Sequence, residues 1–159
     1  MLLSKNFTLE EMLWSNVAKE RGIKNDMHNP SIIVPNLQAL CVNVLQPTRD
    51  HFGPLIVSSG YSNTALSYAL GRKLTSQHHI GAAADIVSNR VLNYDIAKWI
   101  SEHLEFDQLI YEARRRGLSK SIYDWVHVSY KKDGNNRKQV LYSPPGGGYK
   151  EGLPKKSYV

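Results

Sequence analysis

The chain has 159 residues and a mass of 18.0 kDa, enough for one domain with a real core. Its 42% hydrophobic and 21% charged residues are ordinary globular usage and exclude a disordered chain. No apolar run approaches the roughly 20 residues that cross a bilayer. The net charge of +6 suits a polyanionic partner, nucleic acid or an anionic cell wall, without choosing between them.

MLLSKNF at the start has no apolar segment long enough for a secretory signal. The expectation is a protein made in the cytoplasm that reaches its place of action by another route. Thr8-Leu9-Glu10-Glu11 forms a capping box, so a helix follows and ends near Gly22. Pro30 to Phe52 carries a longer helix, with Val34, Leu37, Leu40, Cys41, Val44 and Leu45 recurring at three- and four-residue spacing. Pro35 fits near its first turn, whereas Pro47 should kink or shorten it. Cys41 is the single cysteine and cannot form an internal disulfide; its apolar surroundings make it a small core residue.

After Phe52-Gly53-Pro54 the periodicity changes. Leu55 to Ser59 is a buried strand, Asn63 to Leu70 a short helix, and Gly71 to Gly81 a loop. Ala82 to Val87 is a strand, Asn93 to Leu104 a helix, and Phe106 to Glu112, Tyr123 to Tyr130 and Gln139 to Tyr142 are further strands. Residues 144–159 form a Pro/Gly-rich basic tail, expected to be irregular, behind a domain spanning 1–143. Helices first and strands after make an α+β fold, with N-terminal helices packed on a mostly antiparallel sheet.

Two of these strands carry polar side chains where apolar ones belong. In Ala82 to Val87 alternation places Ala83, Asp85 and Val87 on one face, and a carboxylate among small apolar neighbours costs several kcal/mol unless paired or bound to a cation. In Asp124 to Tyr130, Val126 and Val128 point to the core, which turns Trp125, His127 and Ser129 the other way. The loop before the first strand adds His78 or His79. Two imidazoles and one carboxylate suit Zn²⁺ with one position left open, the pattern of a catalytic site, and the lack of a cysteine cluster argues against a structural one. The competing reading is exposed loop histidines, a capping aspartate and a hydrogen-bonded core histidine. His28, His51 and His103 lie in or beside polar segments as surface residues.

Ser76-x-His78-x-x-Gly81-x-Ala83-x-Asp85, followed by Trp125-Val126-His127-Val128-Ser129, resembles peptidase family M15, the zinc D-Ala-D-Ala carboxypeptidases and peptidoglycan endopeptidases that include phage endolysins. LSKNFTLEEM, NLQALCVNVLQPTRDHFG, VSSGY and FDQLIYE extend the likeness to the small single-domain branch, over Leu3 to Tyr142. The resemblance implies an M15/hedgehog-like peptidase fold and one zinc ion held by His78, Asp85 and His127. His79 becomes a structural neighbour, and Ser76 and Gly81 shape the loop.

For the general base the family pattern offers Asp124, three residues before the last ligand, or Glu112 at the end of FDQLIYE. A regular strand turns Asp124 to the wrong face, so it serves only if the strand bends or bulges. Ser76, Tyr61 and Arg72 are the expected substrate-binding residues. One position departs from the pattern: Ser62 follows Ser59-Gly60-Tyr61 where an arginine often holds a substrate carboxylate, and Arg72 is the candidate substitute. The implied function is a zinc peptidase cleaving wall stem peptides, as a phage endolysin or virion-associated lysin, monomeric unless part of a virion. The alternative is a non-catalytic wall-peptide-binding or phage structural module that keeps the fold. A specific nucleic-acid role lacks any recognition motif.

Overall fold

The computed structural model describes residues 1–159. A six-stranded sheet runs in the order β1-β2-β4-β3-β5-β6, with β1 Ile56–Ser59, β2 Ala83–Val87, β3 Gln108–Arg115, β4 Ile122–Ser129, β5 Gln139–Ser143 and β6 Lys150–Glu151. Every pairing is antiparallel except β3 with β5. The chain leaves β4 beside the start of β3, crosses that end as the 130–138 loop, and re-enters on the far side of β3 in the same direction.

Helices α1 Leu9–Leu13, α2 Asn16–Arg21, α3 Pro30–Leu40, α4 Gln46–Phe52, α5 Thr64–Ala69 and α6 Asn93–His103 complete the fold. One face of the sheet offers Val57, Ala84, Ile86, Leu109, Tyr111, Val126 and Val128. These pack with Ile33, Leu37, Leu40, Val44 and Leu45 of the long helix and with Ile96, Ala97 and Ile100 of α6 as one buried core. Cys41 lies in it, and burial pushes its thiol up to about 12. No helix is long and apolar enough to cross a membrane.

Three local outcomes differ from the sequence expectation. The first helix is two: Ser15 caps α2 by accepting from the Ala18 N–H at 3.2 Å, while Asn25 Nδ2 donates to the freed Leu13 carbonyl at 2.9 Å. Pro47 does not end the second helix. A π-helical turn over Cys41–Leu45 widens the spiral, and the Gln46 N–H bonds back to the Cys41 carbonyl. The proline, which has no N–H and crowds the carbonyl four residues earlier, is thus accommodated. The tail packs on the domain: β6 pairs with β5, Tyr94 Oη donates to the Pro154 carbonyl at 2.8 Å, and Tyr158 stacks on Tyr111.

Candidate metal centre

The face of the sheet turned from the helices floors an open groove of about 560 Å³. Asp85 of β2 stands directly opposite His127 of β4 in the ladder, so alternation sets both side chains on this face as neighbours. His78 arrives from a 3₁₀ turn, Gln77–Ile80. Ser76 caps that turn by accepting from the His78 N–H at 3.3 Å. Gly81 closes it at φ +74°, a conformation natural to glycine, where an added Cβ would sit 2.9 Å from the Ile33 carbonyl.

His127 Nδ1 lies 3.0 Å from Asp85 Oδ1 and 3.3 Å from His78 Nε2, and His78 Nε2 lies 3.4 Å from the same Asp85 oxygen. His78 Nδ1 is 2.7 Å from the Gly60 carbonyl, which can only accept, so Nδ1 carries the hydrogen and Nε2 turns a bare lone pair to the centre. Orientation of a ligand imidazole through its other nitrogen is a recurrent feature of metal sites. Arg72 holds the second carboxylate oxygen, Nη2 to Oδ2 at 3.0 Å.

Electrostatics match that arrangement. Burial drives His78 below the usual histidine range despite Asp85 beside it. Burial pushes the Asp85 carboxyl up, but the two imidazoles gathered beside it outweigh this and hold it well below the ordinary range. The three ligand atoms all lie within 4.8 Å of one another. A tetrahedral ion with bonds of about 2.0–2.1 Å sets its ligands roughly 3.3–3.4 Å apart, so two imidazoles and a carboxylate at these separations fit zinc.

Glu112 of β3 stands opposite Trp125 and diagonal to His127 on the same face, and it lines the groove with the triad. Burial, then the Asp85 charge, raises its carboxyl above the ordinary value; His127 and Arg114 pull it back in part. Arg114 Nη2 approaches Glu112 Oε1 only to 3.8 Å.

Asp124 is elsewhere. β3 and β4 pair residue for residue from Leu109 with Val128 to Arg115 with Ile122, without a bulge, so Asp124 faces the helices. There it accepts hydrogen bonds from Tyr111 Oη and, at 2.9 Å, from Asn93 Nδ2. The expectation that it serves as base is corrected on that ground. Tyr61 is likewise outside the groove: it is 1% exposed and its hydroxyl meets His28 Nδ1 at 2.8 Å. Its expected substrate contact is replaced by a place in the core. Arg72 and Ser76 do line the groove, but Arg72 is tied to Asp85 and, through Nη1, to Ser59 Oγ at 2.9 Å. Its charge serves a carboxylate of the protein itself. His79 points away and stacks on His28, its Nδ1 3.0 Å from the Ser62 carbonyl.

Arg137 and Tyr149 are among the groove-lining residues that had no place in the sequence reading. Arg137 comes from the loop after β4 and Tyr149 from the tail. The family model described as Peptidase M15 matches residues 5–129, a span that holds the triad and Glu112 and stops before both of these. No curated protein matches the sequence.

Proposed function

The chain belongs to the peptidase M15 family, and on that premise we propose that it is a zinc-dependent peptidase cleaving amide bonds in peptidoglycan stem peptides. The observation that carries this reading is the convergence of His78 Nε2, Asp85 Oδ1 and His127 Nδ1 within 3.0–3.4 Å, with Glu112 on the same face of the sheet.

His78, Asp85 and His127 are the residues that would hold the ion. Bound there, zinc supplies Lewis acidity, which polarises a carbonyl oxygen and makes water nucleophilic near neutral pH. The remaining work falls to this chain's own groups. The Gly60 carbonyl fixes the tautomer of His78, and Arg72 fixes the Asp85 carboxylate so that one oxygen faces the two rings. Glu112 is the general base: its raised pKa moves it toward neutrality, where a carboxylate takes a proton from the attacking water and returns it to the leaving amine with most effect. Trp125 stands opposite Glu112 in the ladder and lines the same groove.

The proposed setting is the bacterial cell wall, with the protein acting as a phage endolysin or a virion-associated lysin. The +6 charge favours approach to an anionic wall. The test is mass spectrometry of purified peptidoglycan digested with chelator-treated and zinc-restored protein. Fragments that appear only with zinc, with masses that report a cut in the stem peptide, support the reading. Stoichiometric zinc without fragments from several wall types would instead leave a peptide-binding module.

A further inference from the structure

Asp107 is a buried carboxylate that the proposed chemistry does not use. It is 0% exposed and lies at the start of β3, outside the triad. Its Oδ1 accepts from the backbone N–H and the Nε of Arg137, each at 3.1 Å, and its Oδ2 accepts from Arg137 Nη2 at 2.8 Å and from Gln77 Nε2 at 2.9 Å. Lys131 Nζ stands 3.6 Å from Oδ1. One buried anion therefore anchors the residue before His78 and the loop that crosses the end of β3.

The consequence for Arg137 is geometric. A bidentate pair with a fixed carboxylate immobilises the guanidinium plane. Its side chain is nevertheless 52% exposed and lines the groove, and its Nη1 makes no hydrogen bond. Two cations, Arg137 and Lys131, face the single Asp107 charge, so the cluster carries a surplus positive charge, with Arg137 on its groove side. Arg72, the other arginine on the groove, is drawn inward onto Asp85. Tyr149 completes the same wall. It follows the turn at Gly146-Gly147-Gly148, and the pairing of β6 with β5 holds it in place with its side chain 63% exposed.

We propose that Arg137 is a specificity-determining residue that binds a carboxylate of the peptide substrate through its free Nη1 edge, with Tyr149 closing the subsite and Asp107 acting as the positioning residue. The proposal rests on the peptidase reading and deepens it. The arginine that the family pattern places after Ser-Gly-Tyr is Ser62 here, and the carboxylate-binding cation comes instead from a loop outside the matched residues. The substrate class is an acidic peptide with a carboxylate beside the scissile amide.

The experiment uses the full chain loaded with zinc and carrying Glu112→Gln, so that bound peptide is not turned over. Calorimetry compares a synthetic wall tetrapeptide bearing its free glutamyl and C-terminal carboxylates with versions amidated at one or the other. Amidating one of them should weaken binding by roughly 10- to 100-fold, the range of a hydrogen bond to a charged group. Arg137→Gln should bring the acid and amide forms to equal affinity while zinc is retained. Asp107→Asn should shrink the acid-over-amide ratio, which a general loss of stability does not move. Tyr149→Ala, an exposed change, should weaken all forms by the same factor.

Equal binding of acid and amide forms before any change at Arg137 overturns the proposal, even if Arg137→Gln fails to fold. So does a preference that survives Arg137→Gln. Wall fragments released by the parent enzyme, together with equal binding, would remove this subsite alone. Absence of both fragments and binding would remove the peptidase reading and the subsite with it.

Discussion

The two faces of the central sheet each carry polar groups among apolar neighbours, and they treat them in opposite ways. On the helix side, Asp124 accepts from Tyr111 and Asn93, and Tyr111 Oη in turn accepts from the Tyr158 N–H at 3.1 Å. Donors and acceptors match, so the cluster is complete as it stands. On the groove side, two imidazole nitrogens and a carboxylate oxygen point at one another, and the hydrogen of His78 is committed to Gly60. Acceptors outnumber donors there, a balance that suits a cation. A carboxylate at a strand position says little about function until the balance around it is known.

The sharpest way to break this contrast is His127→Ala. It should lose zinc by metal analysis and all measurable release of wall fragments; a variant that kept both would end the metal assignment. Next is Glu112→Gln, which should keep zinc and fold while turnover drops roughly 10²- to 10⁴-fold, the usual contribution of a general base. Kinetics on soluble stem peptides would reveal it, and an unchanged rate would return the search for the base to the rest of the groove. Asp124→Ala should do the reverse: turnover persists, and denaturant unfolding loses about 1–3 kcal/mol as Tyr111 and Asn93 lose their partner. Tyr61→Phe should cost about 1 kcal/mol through the lost contact to His28, without change in substrate KM.

A further effect is in acid. Burial pushes the Asp107 carboxyl up, but its hydrogen bonds from Arg137 outweigh this and bring it to about 2. Unfolded aspartate titrates near ~3.9. Between those values the unfolded chain binds more protons, so the stability Asp107 contributes is complete above about pH 4 and lost as the pH falls toward 2. A plot of Tm against pH should slope over that window, and Asp107→Asn should flatten it. A slope unchanged by the substitution would assign acid sensitivity to another carboxylate.

Much of the groove could be read from alternation alone. Asp85 between Ala84 and Ile86 and His127 between valines must face away from an apolar core, and a regular strand turns Asp124 from His127. What alternation could not supply was whether β4 is regular. That depends on its pairing with β3, and the unbroken ladder puts Glu112, not Asp124, on the groove face. Tyr61 misled because an aromatic after a strand-end glycine can face either way; the close approach of Gly60 to Met12 turns it inward. Arg137 and Tyr149 left no local trace. Asp107 did leave one, an acid beside the apolar run of β3, the same kind of signal as Asp85.

The sequence by itself determined the α+β class, the order of the main elements and, with His78 or His79, the Asp85 and His127 side chains that could form a metal centre, because periodicity and side-chain chemistry are local properties. Only the tertiary structure decided which carboxylate stands beside that centre, which arginine is tied to Asp85 and which faces the groove. Those outcomes come from strand register and from a loop crossing the end of β3, contacts between residues distant in the chain, and local composition carries no record of them.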